Sequence, residues 1–276
     1  MKTNKKMLVL DIDGTLVNDE KKITKKTLDR LKKMQKMGHH VVIATGRPTK
    51  GVKHIANKLD FDNLGGYVVS FNGSKVVNWQ TEEVLFEQTL SHEDIPSIVE
   101  KARENNLGFV TYDKEHIVAG TEVDEFMDLE ARINDIEIYS PENFEEYVDY
   151  DVNKCIVTCE PETAGEYEAK FKDMLKGKLD VYRSADFFID IVPMGVDKYN
   201  AVSKLAKKLG VAHKDIICCG DSYNDISMIE GAGIGVAMEN AVEEAKEVAD
   251  FVTASNNDDG IALVIDKFII GDRAAV

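Results

Sequence analysis

The stretch Leu8-Val9-Leu10-Asp11-Ile12-Asp13-Gly14-Thr15-Leu16 decides the fold. It follows Met7, so four apolar residues run directly into two aspartates and a glycine. A short, wholly apolar run is what a strand buried on both faces of a parallel sheet requires. In open α/β sheets ligands bind beyond the C-terminal ends of the strands, which is where these aspartates fall. The i, i+2 spacing brings two carboxylates near one another while the chain is extended, and Gly14 lets it turn away. Two acids that close repel when both are ionised. The pair therefore suits a divalent cation, or one nucleophile and one proton carrier. Read alone, it is equally a solvated Asp-Gly turn.

Working outward, the two ends of the chain alternate strands with helices. Thr24 is placed to cap a helix that runs to Met37 and stops at Gly38. Val41–Ala44 and Tyr67–Phe71 read as further buried strands, as do Phe188–Val192, Ile216–Cys219, Ile234–Ala237 and Phe251–Thr253. Helical patterns fall at about 197–209, 223–230 and 241–248. This alternation predicts an α/β fold with a Rossmann-like, doubly wound parallel sheet. The middle differs. A helix starting at Ser91 and Asp94, one near 162–176, and short strands near Phe109–Tyr112, Ile136–Tyr139, Lys154–Thr158 and Val181–Arg183 predict an inserted α+β domain. Residues 1–83 and 188–276 are expected to form the core domain and residues 84–187 the insert.

Charge follows the same division. The 276-residue chain has 34 Lys+Arg and 50 Asp+Glu, a net of −16. Residues 84–187 hold 10 basic and 26 acidic side chains, and the remainder is balanced. Nucleic acid is not an expected partner, because phosphate backbones are met by clustered Lys and Arg. No apolar stretch approaches the ~20 residues needed to span a bilayer. Met1 to Lys6 is basic, but the apolar run after it stops at Asp11. It lacks the ~7–15 apolar residues of a secretory signal, so the cytoplasm is expected. Cys155 and Cys159 would lie ~13 Å apart on a strand, too far for a disulfide. Cys218 and Cys219 are adjacent, and all four read as buried thiols.

Three more groups sit at strand ends or helix starts. Ile43-Ala44-Thr45-Gly46-Arg47-Pro48 offers a hydroxyl, exposed amides and a guanidinium to an anion, or is an ordinary strand-to-helix cap. Gly195-Val196-Asp197-Lys198 puts a lysine at a helix start, which the macrodipole disfavours. A task such as neutralising a phosphoryl group would explain it, and a solvated lysine is the alternative. Cys219-Gly220-Asp221-Ser222-Tyr223-Asn224-Asp225 adds two carboxylates and an amide, which with Asp11 make a hard oxygen site appropriate to Mg²⁺, or else cap a helix.

In this order, DxDGT, ATGR, a single Lys and GDSxND, the chain resembles the haloacid-dehalogenase superfamily of phosphatases. Its long insert, Ser70-Phe71-Asn72-Gly73, the run Phe188-Ile189-Asp190-Ile191-Val192-Pro193 before GVDK, and the ending Ser255-Asn256 to Asp259-Gly260-Ile261-Ala262 resemble the Cof-type subgroup. Phe71 and Tyr199 depart from its usual pattern. The resemblance implies a Mg²⁺-dependent phosphatase acting on a small phosphorylated metabolite, such as a sugar phosphate, as a monomer or homodimer. It implies that Asp11 attacks phosphorus, Asp13 is the general acid and base, and Thr45 and Lys198 hold the transferring oxygens. Gly46, Arg47, Asn72, Gly73 and Asn224 would lie on the phosphate and substrate side. Asp11, the Asp13 carbonyl, Asp221 and Asp225 would hold the metal. A phosphomutase or phosphotransferase is the nearest alternative, and a non-catalytic phosphate-ligand-binding regulator a further one. The acids of the insert read as solvated surface, or as favouring a substrate with an amine or many hydroxyls.

Overall fold

A computed structural model describes residues 5–271; Met1 to Asn4 of the basic N-terminal stretch lie outside the described residues. Five strands come first: β1 (Met7–Leu10), β2 (His40–Ala44), β3 (Tyr67–Ser70), β4 (Lys75–Asn78) and β5 (Glu83–Glu87). Six follow in the middle of the chain: β6 (Gly108–Tyr112), β7 (Ile117–Ala119), β8 (Ile138–Tyr139), β9 (Cys155–Thr158), β10 (Leu179–Ala185) and β11 (Phe188–Pro193). Three end it: β12 (Ile216–Gly220), β13 (Ile234–Ala237) and β14 (Phe251–Val252). The chain divides into two compact units. The first comprises the residues up to Gly46, Lys53–Phe86 and those from Asp197 on; the second comprises Arg47–Val52 and Glu87–Val196.

The first unit is the α/β body. Its sheet has the order β14-β13-β12-β1-β2-β3-β4-β5, with all pairs from β14 to β3 parallel and β4 antiparallel to β3. Every residue of β1 is fully buried, as a central strand covered on both faces must be. Thr24 caps the helix Lys25–Lys36, accepting from the Thr27 amide. One apolar cluster joins Val9, Val42, Val69 and Cys218 of the sheet to Val202 and Leu205 of the helix Lys198–Leu209. Sheet order puts the C-terminal ends of β1, β2 and β12 side by side, the topology that makes a crevice for ligands.

The second unit is a six-stranded sheet, β10-β11-β9-β6-β7-β8, antiparallel except for β7 with β8. Alternation sorts its faces. Phe109, Cys155, Val157, Ile189 and Ile191 join an apolar core with Ile98 and Val99 of the helix Ile95–Glu104 and Phe171 of the helix Pro161–Met174. Asp190, between the two isoleucines, takes the other face. There its carboxylate pairs with the Lys154 ammonium at 3.2 Å and accepts from the Ser184 hydroxyl at 2.8 Å. Nearby, the Tyr112 hydroxyl donates to Glu130, which also accepts from the Asn134 side-chain amide.

Several expectations shift. β11, expected in the outer domain, lies in the second unit's sheet. Phe71 does not extend β3 but opens a left-handed turn. Ser91 does not cap the helix at Ile95. Its carbonyl oxygen and hydroxyl accept from Asp94 and Glu93 in the turn before it. Strand β7 and the helix Glu125–Asn134, capped by Asp124, were not anticipated. All four cysteines are buried and free. No helix of the described residues is long and apolar enough to cross a membrane.

Removing one partner of a buried ion pair strands the other charge. Asp190→Ala is therefore expected to cost about 3–5 kcal/mol of stability, read from urea unfolding. A loss under about 1 kcal/mol would mean that the Lys154 ammonium escapes to water.

Candidate active site

Asp11 leaves β1 beside β12, and its amide donates to the Cys219 carbonyl oxygen at 3.1 Å. That bond continues the β1–β12 register, in which Leu10 faces Cys219. Asp221 and Asp225 follow β12 by one and five residues. Lys198 opens its helix with only 1% of its surface exposed. The Asp197 side chain caps that helix through the Asn200 amide, supplying the negative group that a lysine at this position lacks.

These elements converge on one ammonium. Lys198 Nζ donates to Asp11 Oδ1 at 2.7 Å and to Asp225 Oδ1 at 2.6 Å. The second oxygen of the fully buried Asp225 accepts from the amides of Asp221 and Ser222 at 3.0 and 3.1 Å. Thr15 Oγ1 donates to Asp221 Oδ1 at 2.6 Å. Gly14 makes this approach possible. Its φ is +79°, and a Cβ there would sit 2.3 Å from Asp221 Oδ2. Neither the turn nor the space admits a side chain.

The electrostatics follow from burial. Desolvation pushes the Asp11 carboxyl up to about 8, against the Lys198 charge and with help from Asp225. Burial also raises Asp221 to about 6, opposed by the Thr15 hydrogen bond. For Lys198, burial alone would favour the neutral amine, but the Asp11 and Asp225 charges outweigh it and hold the ammonium. Oxygens of Asp11, Asp221 and Asp225 lie within 4.8 Å of one another. Three carboxylates round one ammonium leave an excess of negative charge in a buried, all-oxygen setting, which fits a hard divalent cation.

Asp13 lies at the edge of this cluster. Its side chain is 41% exposed and pairs with Lys21 Nζ at 3.0 Å. Thr45 and Asn72 meet where the Asn72 amide donates to the Thr45 carbonyl oxygen at 2.9 Å. Asn224 Nδ2 donates to Asn72 Oδ1 at 3.1 Å. Gly46 lies beneath that side chain, and Gly73 packs against the start of the Lys198 helix. Arg47 belongs to the second unit, where Nη1 donates to the Ile133 carbonyl oxygen at 3.1 Å. Sequence reasoning missed Thr15, Ser222 and Asn240, whose Nδ2 holds the Gly14 carbonyl oxygen at 2.8 Å. The adjacency of Thr15 to the DxDG run was a usable signal; Asn240 carried none.

Because Asp11 and Asp221 are raised above the ordinary 3.8, the folded protein keeps protons that the unfolded chain gives up near pH 4. Their contribution to stability therefore falls as pH rises toward 8. A cation held by the ionised carboxylates reverses the loss. Mg²⁺ is expected to raise the thermal midpoint more at about pH 8.5 than at about pH 6. An increment independent of pH would separate metal binding from these carboxylates.

A family model of haloacid dehalogenase-like hydrolases matches residues 8–265. A haloacid dehalogenase-like hydrolase from Bacteroides thetaiotaomicron, known by its crystal structure, superposes with a TM-score of 0.91 at 37% identity, over 95% of this chain and 99% of that one. YxeH of Bacillus subtilis (strain 168) is 32% identical, over 96% of this chain and 98% of its own length. From the same organism, the 5-amino-6-(5-phospho-D-ribitylamino)uracil phosphatase YcsE is 28% identical, over 96% of each chain. With this likeness along nearly its whole described length, and with carboxylates and a lysine gathered at the strand ends, the chain belongs to the haloacid dehalogenase-like hydrolases, among the Cof-type phosphatases.

Proposed function

We propose that the chain hydrolyses small phosphomonoesters of sugars or sugar alcohols, with Asp11 as nucleophile. The observation that carries this reading is the buried Lys198 ammonium shared by Asp11 and Asp225. It holds one carboxylate oxygen of Asp11 and orients the other for attack. Attack forms a bond from Asp11 to phosphorus and breaks the bond to the leaving oxygen. Asp13, on the exposed edge of the site, gives that oxygen a proton and then takes one from the water that hydrolyses the aspartyl-phosphate. Thr45, Gly46 and Asn224 offer donors to the transferring oxygens, and Lys198 offsets their charge. Asp11, the Asp13 carbonyl, Asp221 and Asp225 would hold Mg²⁺. When bound, the ion keeps Asp11 ionised and lessens its repulsion from the phosphate dianion.

The ribityl phosphate named for the 28%-identical relative supports a polyhydroxylated leaving group. The net charge of −16 over residues 84–187 favours a substrate with hydroxyls or an amine over one with further anionic groups.

Asp11→Asn is expected to fold, to retain part of its Mg²⁺ binding, and to lose on the order of 10³-fold or more in kcat on a generic aryl phosphate. Near-normal turnover would remove Asp11 as nucleophile. Excess chelator should also abolish turnover. A panel of neutral-sugar, amino-sugar, sugar-alcohol and strongly anionic phosphates tests the substrate class. Preference for the anionic members, or phosphate passing to a second sugar instead of water, would overturn it.

A further inference from the structure

Phe71, Asn72 and Gly73 form three consecutive residues with left-handed φ, at +51°, +54° and +108°. Asn adopts that region readily and Gly without cost, but a bulky aromatic rarely does, so Phe71 is a strained residue in a buried turn. Such a conformation persists only where its surroundings over-determine it.

The surroundings here come from three separate loops of the first unit. The Asn72 amide donates to the Thr45 carbonyl oxygen at 2.9 Å, at the end of β2. Its side-chain oxygen accepts from Asn224 Nδ2 at 3.1 Å, in the loop after β12. A Cβ on Gly73 would sit 2.4 Å from the carbonyl oxygen of Asp197, the residue that caps the Lys198 helix. One turn thus touches the carriers of Thr45, Asn224 and Lys198. Ser70 and Ser74, on either side of it, are fully buried, and the Ser74 amide closes the turn onto the Phe71 carbonyl oxygen at 3.2 Å.

We infer that Phe71-Asn72-Gly73 is a positioning turn for phosphoryl transfer, and that Asn72 acts by holding Asn224 and Thr45 in register. This assignment rests on the phosphatase reading above. It assigns Asn72 Oδ1 to Asn224, and to Gly73 a backbone contact that no side chain could share. Misplacing groups that meet the transferring oxygens by a fraction of an ångström slows the chemical step more than it weakens substrate binding.

A double-mutant cycle on an aryl phosphate tests it. Asn72→Ala and Asn224→Ala are each expected to lower kcat by about 10- to 100-fold with KM changing by less than about 3-fold. The double variant should be no more than about 3-fold slower than the slower single one, because both remove the same contact. Multiplying effects would show that Asn72 meets the phosphate independently, and would overturn the inference. Gly73→Ala, which keeps every polar side chain, is expected to lower kcat likewise while the urea midpoint records any loss of folding. Unchanged kcat in that variant would also overturn it. Two controls keep the claims apart: absence of wild-type turnover across the phosphate panel would sink the phosphatase reading, and retained activity in Asp11→Asn would sink the aspartyl-phosphate chemistry, whereas additivity in the cycle leaves both standing.

Discussion

A lysine side chain with none of its surface exposed has to be paired, and Lys198 is paired twice. That constraint organises the first unit. Burying three charges together is tolerable only with close geometry and with the remaining lone pairs satisfied. The close geometry comes from the parallel order, which sets β12 beside β1 and lets Asp11 continue their register. The satisfied lone pairs come from the Asp221 and Ser222 amides, which turn the start of the helical segment after β12 into a cradle for Asp225. The helix of Lys198 has to begin where a cation is least welcome. Asp197 and the two carboxylates compensate for that placement.

Much of this is legible in the sequence. An apolar run ending in Asp11 reads as a covered strand, and the same logic found β2 and β12. Lys198 stood out because a helix start is the wrong place for it unless anions lie in front. The second unit was harder to read. Asp190 looked like part of a run returning to the core, because Phe188–Pro193 is uniformly buried and such runs do not announce which sheet covers them. The helix Glu125–Asn134 was missed although Asp124 is a plain N-cap; the acids Glu125, Asp128 and Glu130 interrupt its apolar face, and Glu130 is itself buried against Tyr112.

The least legible feature is the turn after β3. Phe71 reads as one more strand residue, since aromatic residues favour strands and nothing local marks a positive φ. Only tertiary contacts from the β2, β12 and Lys198 loops select that conformation. This is the usual division: periodicity exposes elements buried by their neighbours in sequence, whereas strain is stored where distant segments meet.

The chain leaves the first unit twice, once for the six residues Arg47–Val52 and once for Glu87–Val196. The short excursion is anchored within the second unit. Arg47 is held by the Ile133 carbonyl oxygen and Lys50 by Glu115, and a Cβ on Gly51 would sit 2.7 Å from Asn134 Oδ1. The module that recombination or engineering can exchange is therefore discontinuous. A chimaera that grafts a foreign insert between 86 and 197 would leave these six residues matched to a helix no longer there, directly after Gly46. Folding of such a chimaera would require the hexapeptide to travel with its insert.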